Sequence, residues 1–205
     1  YSINEKDPKF NIPFLNNTQN IIRLVIGEDN QIFLKGENYS IQQLSKNILD
    51  EYIKKKISSF DQNEHWSDLL NLSLSCEKNI LGLKINGSKI PPIEIFSHAS
   101  SNSLTAKTLV IFLEKNCDVE LLQVNLGEEN SSLSQSTFLC LEENSSIAHG
   151  VVSYGQNKSH LLNSLNVIQQ KNSKYNLGSL HFKFNYARFE IRIKQTEGNA
   201  KTSIK

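Results

Sequence analysis

Three stretches of the chain decide its fold: residues 109–121 (LVIFLEKNCDVEL), residues 137–149 (TFLCLEENSSIAH) and residues 165–177 (LNVIQQKNSKYNL). Each stretch begins 28 residues after the one before, and the three align without gaps. An asparagine stands between the two apolar halves of every stretch, at Asn116, Asn144 and Asn172. A fixed period built of short strand-like segments is typical of a solenoid, in which each repeat stacks on the next.

The aligned columns predict which side chains stack. Three apolar columns follow from the alignment: Leu109, Thr137 and Leu165; Ile111, Leu139 and Val167; Val119, Ile147 and Tyr175. Asparagine suits a corner because it tolerates left-handed backbone and can hydrogen-bond to the next asparagine in the stack. The pattern favours a parallel β-helix. The alternative, an antiparallel β-sandwich, gives no reason for a constant spacing of 28 residues.

The first 90 residues have a different character, and we expect a smaller α/β region there. Residues 1–19 are polar and predict an extended lead-in, and residues 20–35 predict two short strands around a Gly-Glu-Asp-Asn turn. Ser40 and Gln43 fit a helix capping box, with apolar residues at helical spacing as far as Ser58. A second helix is predicted from Asp61 to Leu74.

Strand-like alternation begins again near residue 80. Ile80–Ile85 alternates, Asn86-Gly87 is a turn signal, and Ile93–Phe96 alternates after a Pro-Pro pair. The chain is therefore predicted to divide into an N-terminal α/β region, 1–90, and β-helix rungs, 91–205.

Composition excludes several classes of function. The 22 basic and 21 acidic residues leave a net charge of +1, which argues against a nucleic-acid partner. No run of 18 apolar residues and no signal peptide is visible, so neither membrane insertion nor secretion is predicted. The three cysteines form no C-x-x-C pair and indicate a reducing cytosol. The chain has no Met and begins with Tyr, so we expect a piece of a longer protein.

No catalytic, cofactor-binding or metal-binding residue is predicted. Five histidines are present, at His65, His98, His149, His160 and His181, but none forms a metal motif with a neighbour. His149 falls in an apolar column and is expected to be buried and neutral. Cys117 and Cys140 occupy different columns and should not face each other. Glu114 and Glu142 precede the asparagine corner and are interpreted as a solvated rim. The chain has no phosphate-binding loop, so we expect no ATP binding.

The rungs also carry a resemblance to a known family. The run from Ile95 to Lys205, with its xLExN-type rungs, Gly178, Arg188 and the closing EGNAKTSI, resembles the SufB/SufD family, and its SufD members most. The earlier IIRLVIGEDNQIFL stretch and the segment Leu69–Ile85 resemble the same family. One difference is that Lys183-Phe184 stands where the family usually has a Gly-Gly pair, which predicts a reshaped corner.

The resemblance implies a right-handed parallel β-helix preceded by an N-terminal α/β region. It implies a non-catalytic scaffold subunit of the SUF iron–sulfur cluster assembly complex, which pairs with a SufB-type paralogue and acts with a SufC-type ATPase. A homodimer is a further alternative. The cluster would be assembled by the whole complex, with no cofactor in this chain, in the cytoplasm or, in a eukaryote, the plastid stroma. The family histidine at the SufB–SufD junction matches no residue here.

Two other functions are compatible with the fold alone. A carbohydrate-active β-helix enzyme, a lyase or glycosidase, would expose carboxylates and aromatic side chains along one strand face. Aromatic residues make up only 8% of this chain. A structural solenoid of the adhesin type would require a secretion signal, which the sequence does not show. In either direction, a solenoid that stops amid rung-like sequence at Lys205 is expected to leave an open strand edge.

Overall fold

A computed structural model describes residues 21–27, 32–45, 47–49, 51 and 79–205. Thirteen strands lie in these ranges: β1 Ile22–Val25, β2 Phe33–Lys35, β3 Tyr39–Gln43, β4 Ile80–Gly87, β5 Ile93–Ala99, β6 Leu104–Leu113, β7 Asp118–Gly127, β8 Ser132–Leu141, β9 Ser146–Gly155, β10 His160–Gln169, β11 Lys174–Phe182, β12 Tyr186–Gln195 and β13 Lys201–Ile204. The predicted lead-in over 1–19, the predicted helix from Asp61 to Leu74, His65, Trp66 and Cys76 lie outside the described residues.

The strands form two sheets that wind around a common core. Sheet A has the order β1-β5-β7-β9-β11-β13, and sheet B has the order β12-β10-β8-β6-β4-β3-β2. From β4 onward every pairing is parallel, and Leu109 lies beside Thr137, which lies beside Leu165. The chain is therefore a parallel β-solenoid of about four turns, which confirms the predicted fold class.

Each coil has two corners, and the same kind of residue forms both. Asn116, Asn144 and Asn172 have φ of 60°, 58° and 58°, so they adopt the predicted left-handed backbone. The Nδ2 of Asn144 donates to Oδ1 of Asn116 at 3.1 Å, and that of Asn172 to Oδ1 of Asn144 at 3.0 Å. This ladder confirms that the 28-residue period is one coil.

A second corner lies halfway round the coil and was not predicted. Asn102, Asn130 and Lys158 have φ of 60°, 57° and 57°, and Nδ2 of Asn130 donates to Oδ1 of Asn102 at 2.7 Å. These positions lie 14 residues from the first ladder, so the chain has a half-period of one strand and one turn. The residue after each left-handed position is a buried serine in most corners, as at Ser131 and Ser145. Its hydroxyl donates to the carbonyl three residues earlier, at 2.7 and 2.6 Å.

The interior is filled by the side chains of alternate residues in both sheets. Leu109, Ile111, Val119 and their column mates belong to one buried cluster, and Ile111 is only 1% exposed. A second apolar cluster lies on the outer face of sheet B, where Leu44 and Leu49 pack with Val110, Phe112, Phe138 and Cys140. The short N-terminal segment therefore covers part of the solenoid instead of forming a separate core.

The predicted helix from Ser40 was wrong at its start. Residues 39–43 form β3, antiparallel to β4, and residues 47–49 and Glu51 are helical. Ile41 pairs with Ile85 and is fully buried, so sheet pairing overrides the capping-box pattern. The remainder of the predicted helix lies outside the described residues. The two strands predicted in 20–35 are present, but β1 lies in sheet A and β2 in sheet B.

The corner at Lys183 departs from the 28-residue repeat. Tyr186 pairs with His160, so this coil is two residues shorter than the others. Lys183 has φ of 63°, and Phe184 occupies the position that serine holds in other corners. A Cβ added to Gly127 would lie 2.8 Å from Cε1 of Phe184, so this ring fills space that two glycines, Gly127 and Gly155, leave open. The bulky pair thus reshapes the corner, as the sequence predicted.

Candidate functional site

Polar side chains line one stripe of the otherwise apolar interior. Ser97 donates to Gln135 across the core at 2.6 Å, and Thr137 donates to Gln123 at 3.1 Å. Asn125 accepts from Gln123 at 3.3 Å and donates to Ser153 at 3.1 Å. Because these groups bond mainly to one another inside the coil, we interpret them as structural.

His149 lies in the interior, as expected from its column. It is 2% exposed, and its Nδ1 lies 3.0 Å from the hydroxyl of Tyr175. Burial lowers the pKa of His149 to about 3 and raises the pKa of Tyr175. A histidine that stays neutral at physiological pH, shielded from solvent, is poorly placed for proton transfer to a substrate.

The other described histidines lie apart from one another. His98 contacts Glu128 at 3.0 Å on the outer face of sheet A, and the Glu128 carboxylate also accepts from the amide of Ser101 at 2.7 Å. These contacts, with the Ser101 hydroxyl bond foremost, lower the pKa of Glu128. His160 lies on the outer face of sheet B, and His181 packs edge-on against Phe189 at 4.7 Å inside the coil.

The two described cysteines are buried on different sides of the solenoid wall. Cys117 takes the serine position of its corner, where its Sγ lies 3.2 Å from the amide nitrogen of Gly87. Burial raises the pKa of the Cys117 thiol. Cys140 belongs to the apolar cluster on the outer face of sheet B. Their separation agrees with their different columns, and the high pKa makes Cys117 a poor thiolate ligand.

The corner carboxylates are engaged in ion pairs along the ladder. Glu114 pairs with Lys84, and Glu143 pairs with Lys115 at 3.2 Å. These contacts fit the interpretation of a solvated rim of mixed charge, and they leave Glu114 and Glu143 without the facing arrangement that glycoside hydrolysis requires.

Within the described ranges, no group of three or more His, Cys, Asp or Glu side chains is placed to hold a metal ion. Among those same residues, no helix has the length and hydropathy needed to cross a membrane.

Apolar side chains are exposed at the last coil. β12 and β13 end their sheets, so each pairs with one strand among the described residues. Tyr186 is 52% exposed and Ile204 is 51% exposed, and the inward side chains Phe189, Ile191 and Ile193 are half-buried. Free strand edges with apolar side chains beside them are suited to pairing with another strand.

A second exposed surface, which the sequence analysis missed, is the outer face of sheet A. Its central strands carry apolar residues at outward positions: Leu122, Val124 and Leu126 in β7, Val152 and Tyr154 in β9, Leu180 and Phe182 in β11. A groove of about 670 Å³ crosses this face over Ala148, Gly150 and Gly178. The available signal was that β7, β9 and β11 have apolar residues at both inward and outward positions.

Comparison with family models, with curated proteins and with solved structures found no match for this chain.

Proposed function

We propose that the chain is a non-catalytic scaffold subunit of a SUF-type iron–sulfur cluster assembly complex. In this role it pairs with a SufB-type paralogue and acts with a SufC-type ATPase, in the cytoplasm or a plastid stroma. The resemblance of the rungs to the SufB/SufD family is the origin of the proposal. The observation that carries it is the parallel β-solenoid itself, whose last coil offers two strand edges to a partner.

The side-chain chemistry of the described residues is consistent with a scaffold. The histidines are separated, the cysteines are buried, and the corner carboxylates Glu114 and Glu143 are paired with lysines. A scaffold needs a stable surface for partners and no reacting group of its own, whereas an enzyme needs converging catalytic groups.

The proposal is tested by affinity purification of the full-length protein from its host under anaerobic conditions. The expected result is co-purification of a SufB-type paralogue and a SufC-type ATPase in stoichiometric amounts. Recovery of the protein with neither partner, while the tag remains accessible, would contradict the proposal.

A second test examines the chain itself. Residues 1–205 are incubated anaerobically with iron and sulfide, and the visible spectrum and ATP hydrolysis are recorded. We expect neither a stoichiometric cluster nor ATP turnover. A cluster that forms in the unsubstituted chain and is lost in Cys117→Ser or Cys140→Ser would identify a cluster ligand and refute the non-catalytic scaffold role.

A further inference from the structure

The outer face of sheet A is apolar in its centre. Val152 and Tyr154 of β9 are half-buried, while Leu180 and Phe182 of β11 are 58% and 39% exposed. Tyr154 and Phe182 pack edge to face, with ring centroids 5.2 Å apart. A contiguous apolar patch of this kind on a sheet face marks an interaction surface.

The charges around this patch are arranged by coil. Asp118 and Glu120 are exposed on β7, whereas Lys174 on β11 and Lys201 on β13 are exposed two and three coils further on. Asp118, Ser146, Lys174 and Lys201 form one outward column at the beginning of the strands. The face is thus acidic on one side of β9 and basic on the other.

The relief of the face has the same symmetry. Leu122, Gly150 and Gly178 share a column, with Gly150 in the middle on β9. The Leu122 side chain projects over the face, and a Cβ added to Gly178 would meet no atom within 4 Å. A projecting side chain and an open space therefore lie at equal distances from β9.

We propose that this face binds a second copy of the chain, with a two-fold axis along β9. That axis places β7 of one copy opposite β11 of the other, so Leu122 enters the groove over Gly178 and Asp118 meets Lys174. Both contacts occur twice, as an interface related by two-fold symmetry requires. This dimer uses a sheet face and goes beyond the proposed pairing of strand edges with a paralogue.

The size of the face sets the strength of the dimer. Five strands about 4.8 Å apart and about 30 Å long span roughly 700 Å². A specific interface of standard size buries about 800 Å² on each partner, so this dimer falls near the lower limit. We therefore expect a dissociation constant in the micromolar range.

Sedimentation velocity of residues 1–205 over about 1–200 µM tests the proposal. The chain should pass from monomer to dimer, and Gly178→Leu, which fills the groove, should raise the dissociation constant at least tenfold with an unchanged unfolding midpoint. Asp118→Lys and Lys174→Glu should each weaken the dimer, and the double variant should restore it. Lys171→Glu, the same charge change in a turn away from the face, is the matched control.

Three outcomes would overturn the proposal. They are a chain that stays monomeric throughout, association that persists unchanged in Gly178→Leu, and failure of the double charge reversal to restore the dimer. If Gly178→Leu does not fold, the charge reversal decides alone. End-to-end association through β12 and β13 would not respond to any of these substitutions, so the result is independent of the proposed scaffold function.

Discussion

At the scale of single residues, His149 makes stability depend on pH. Its pKa is lowered to about 3 by burial, against about 6.5 in an unfolded chain. Between these values the unfolded state binds more protons, so the stability is fully present above pH 6.5 and is lost as the pH falls towards 3. We expect His149 to lower the free energy of unfolding by about 2 kcal/mol between pH 7 and pH 5.

His149→Leu removes this contribution and matches its column neighbours Leu121 and Leu177. Urea unfolding at pH 7 and pH 5 should show a smaller loss of stability in the variant than in the unsubstituted chain. His160→Gln, on the outer face, is the control and should keep the full loss. The burial of His181, which also lowers its pKa, leaves some pH dependence in both variants. Equal losses in His149→Leu and the unsubstituted chain would contradict the prediction.

The asparagine ladder gives a second prediction at this scale. Asn144 combines a left-handed backbone, φ 58°, with side-chain bonds to both neighbours in the ladder. Asn144→Gly removes the bonds only, while Asn144→Ala also forces a Cβ into left-handed backbone at a cost of about 1–2 kcal/mol. Chemical unfolding should therefore find the alanine variant less stable than the glycine variant by about that amount. An alanine variant as stable as the glycine variant would show that the corner had relaxed.

At the scale of elements, the inward columns of the strands account for most of the packing. Ile111 of β6 is 1% exposed and lies between Leu83 and Leu139 in its column. Ile111→Ala leaves a cavity and should lower the free energy of unfolding by about 2–5 kcal/mol. Leu104→Ala, on the same strand but 65% exposed, should change it by less than about 0.5 kcal/mol. A neutral Ile111→Ala would place that column on the outside.

The corner at Phe184 predicts coupling between two coils. Gly127→Ala brings a Cβ within 2.8 Å of the Phe184 ring and should cost about 1–3 kcal/mol. Phe184→Leu should recover part of that loss, and a double-mutant cycle should give at least about 0.5 kcal/mol of coupling. Gly178→Ala is the control, because a Cβ at Gly178 meets nothing within 4 Å. Strict additivity would mean that the ring does not occupy this space.

The same elements show how much the sequence could predict. The 28-residue spacing predicted the coil, the inward columns and the Asn116 ladder, because stacked coils repeat the same environment at the same position. The strand at residues 39–43 was missed because its pairing partner, β4, lies about forty residues away along the chain. Helical spacing is a local signal, and here a non-local pairing decided the structure. The second ladder was missed because lysine replaces asparagine at Lys158, which hides the 14-residue half-period.

At the scale of the molecule, each coil satisfies its backbone groups through its neighbours, and the outward surfaces remain for partners. The interior polar stripe was not predictable, because serine, asparagine and glutamine occur throughout the sequence and only the fold brings Ser97 and Gln135 together. The face of sheet A and the edges of the last coil offer two separate surfaces. One carries the proposed dimer, and the other carries the proposed pairing with a paralogue.

Proline in β12 tests the second surface. The backbone amides of Ser132, His160 and Thr196 each donate to the preceding strand in sheet B, so the alternation along β12 turns the amide of Ala187 towards its free edge. Ala187→Pro should therefore abolish capture of a SufB-type paralogue while keeping the unfolding midpoint.

The matched variant Arg188→Pro removes an amide that faces β10 within the sheet. It should lower the unfolding midpoint, because a ladder bond inside the solenoid is lost whether or not a partner is present. The two adjacent substitutions thus separate loss of the edge from loss of the fold, with thermal unfolding and co-purification measured on the same samples. Undiminished capture of the paralogue by Ala187→Pro would mean that the pairing runs through another surface, and the face of sheet A would be the next one to substitute.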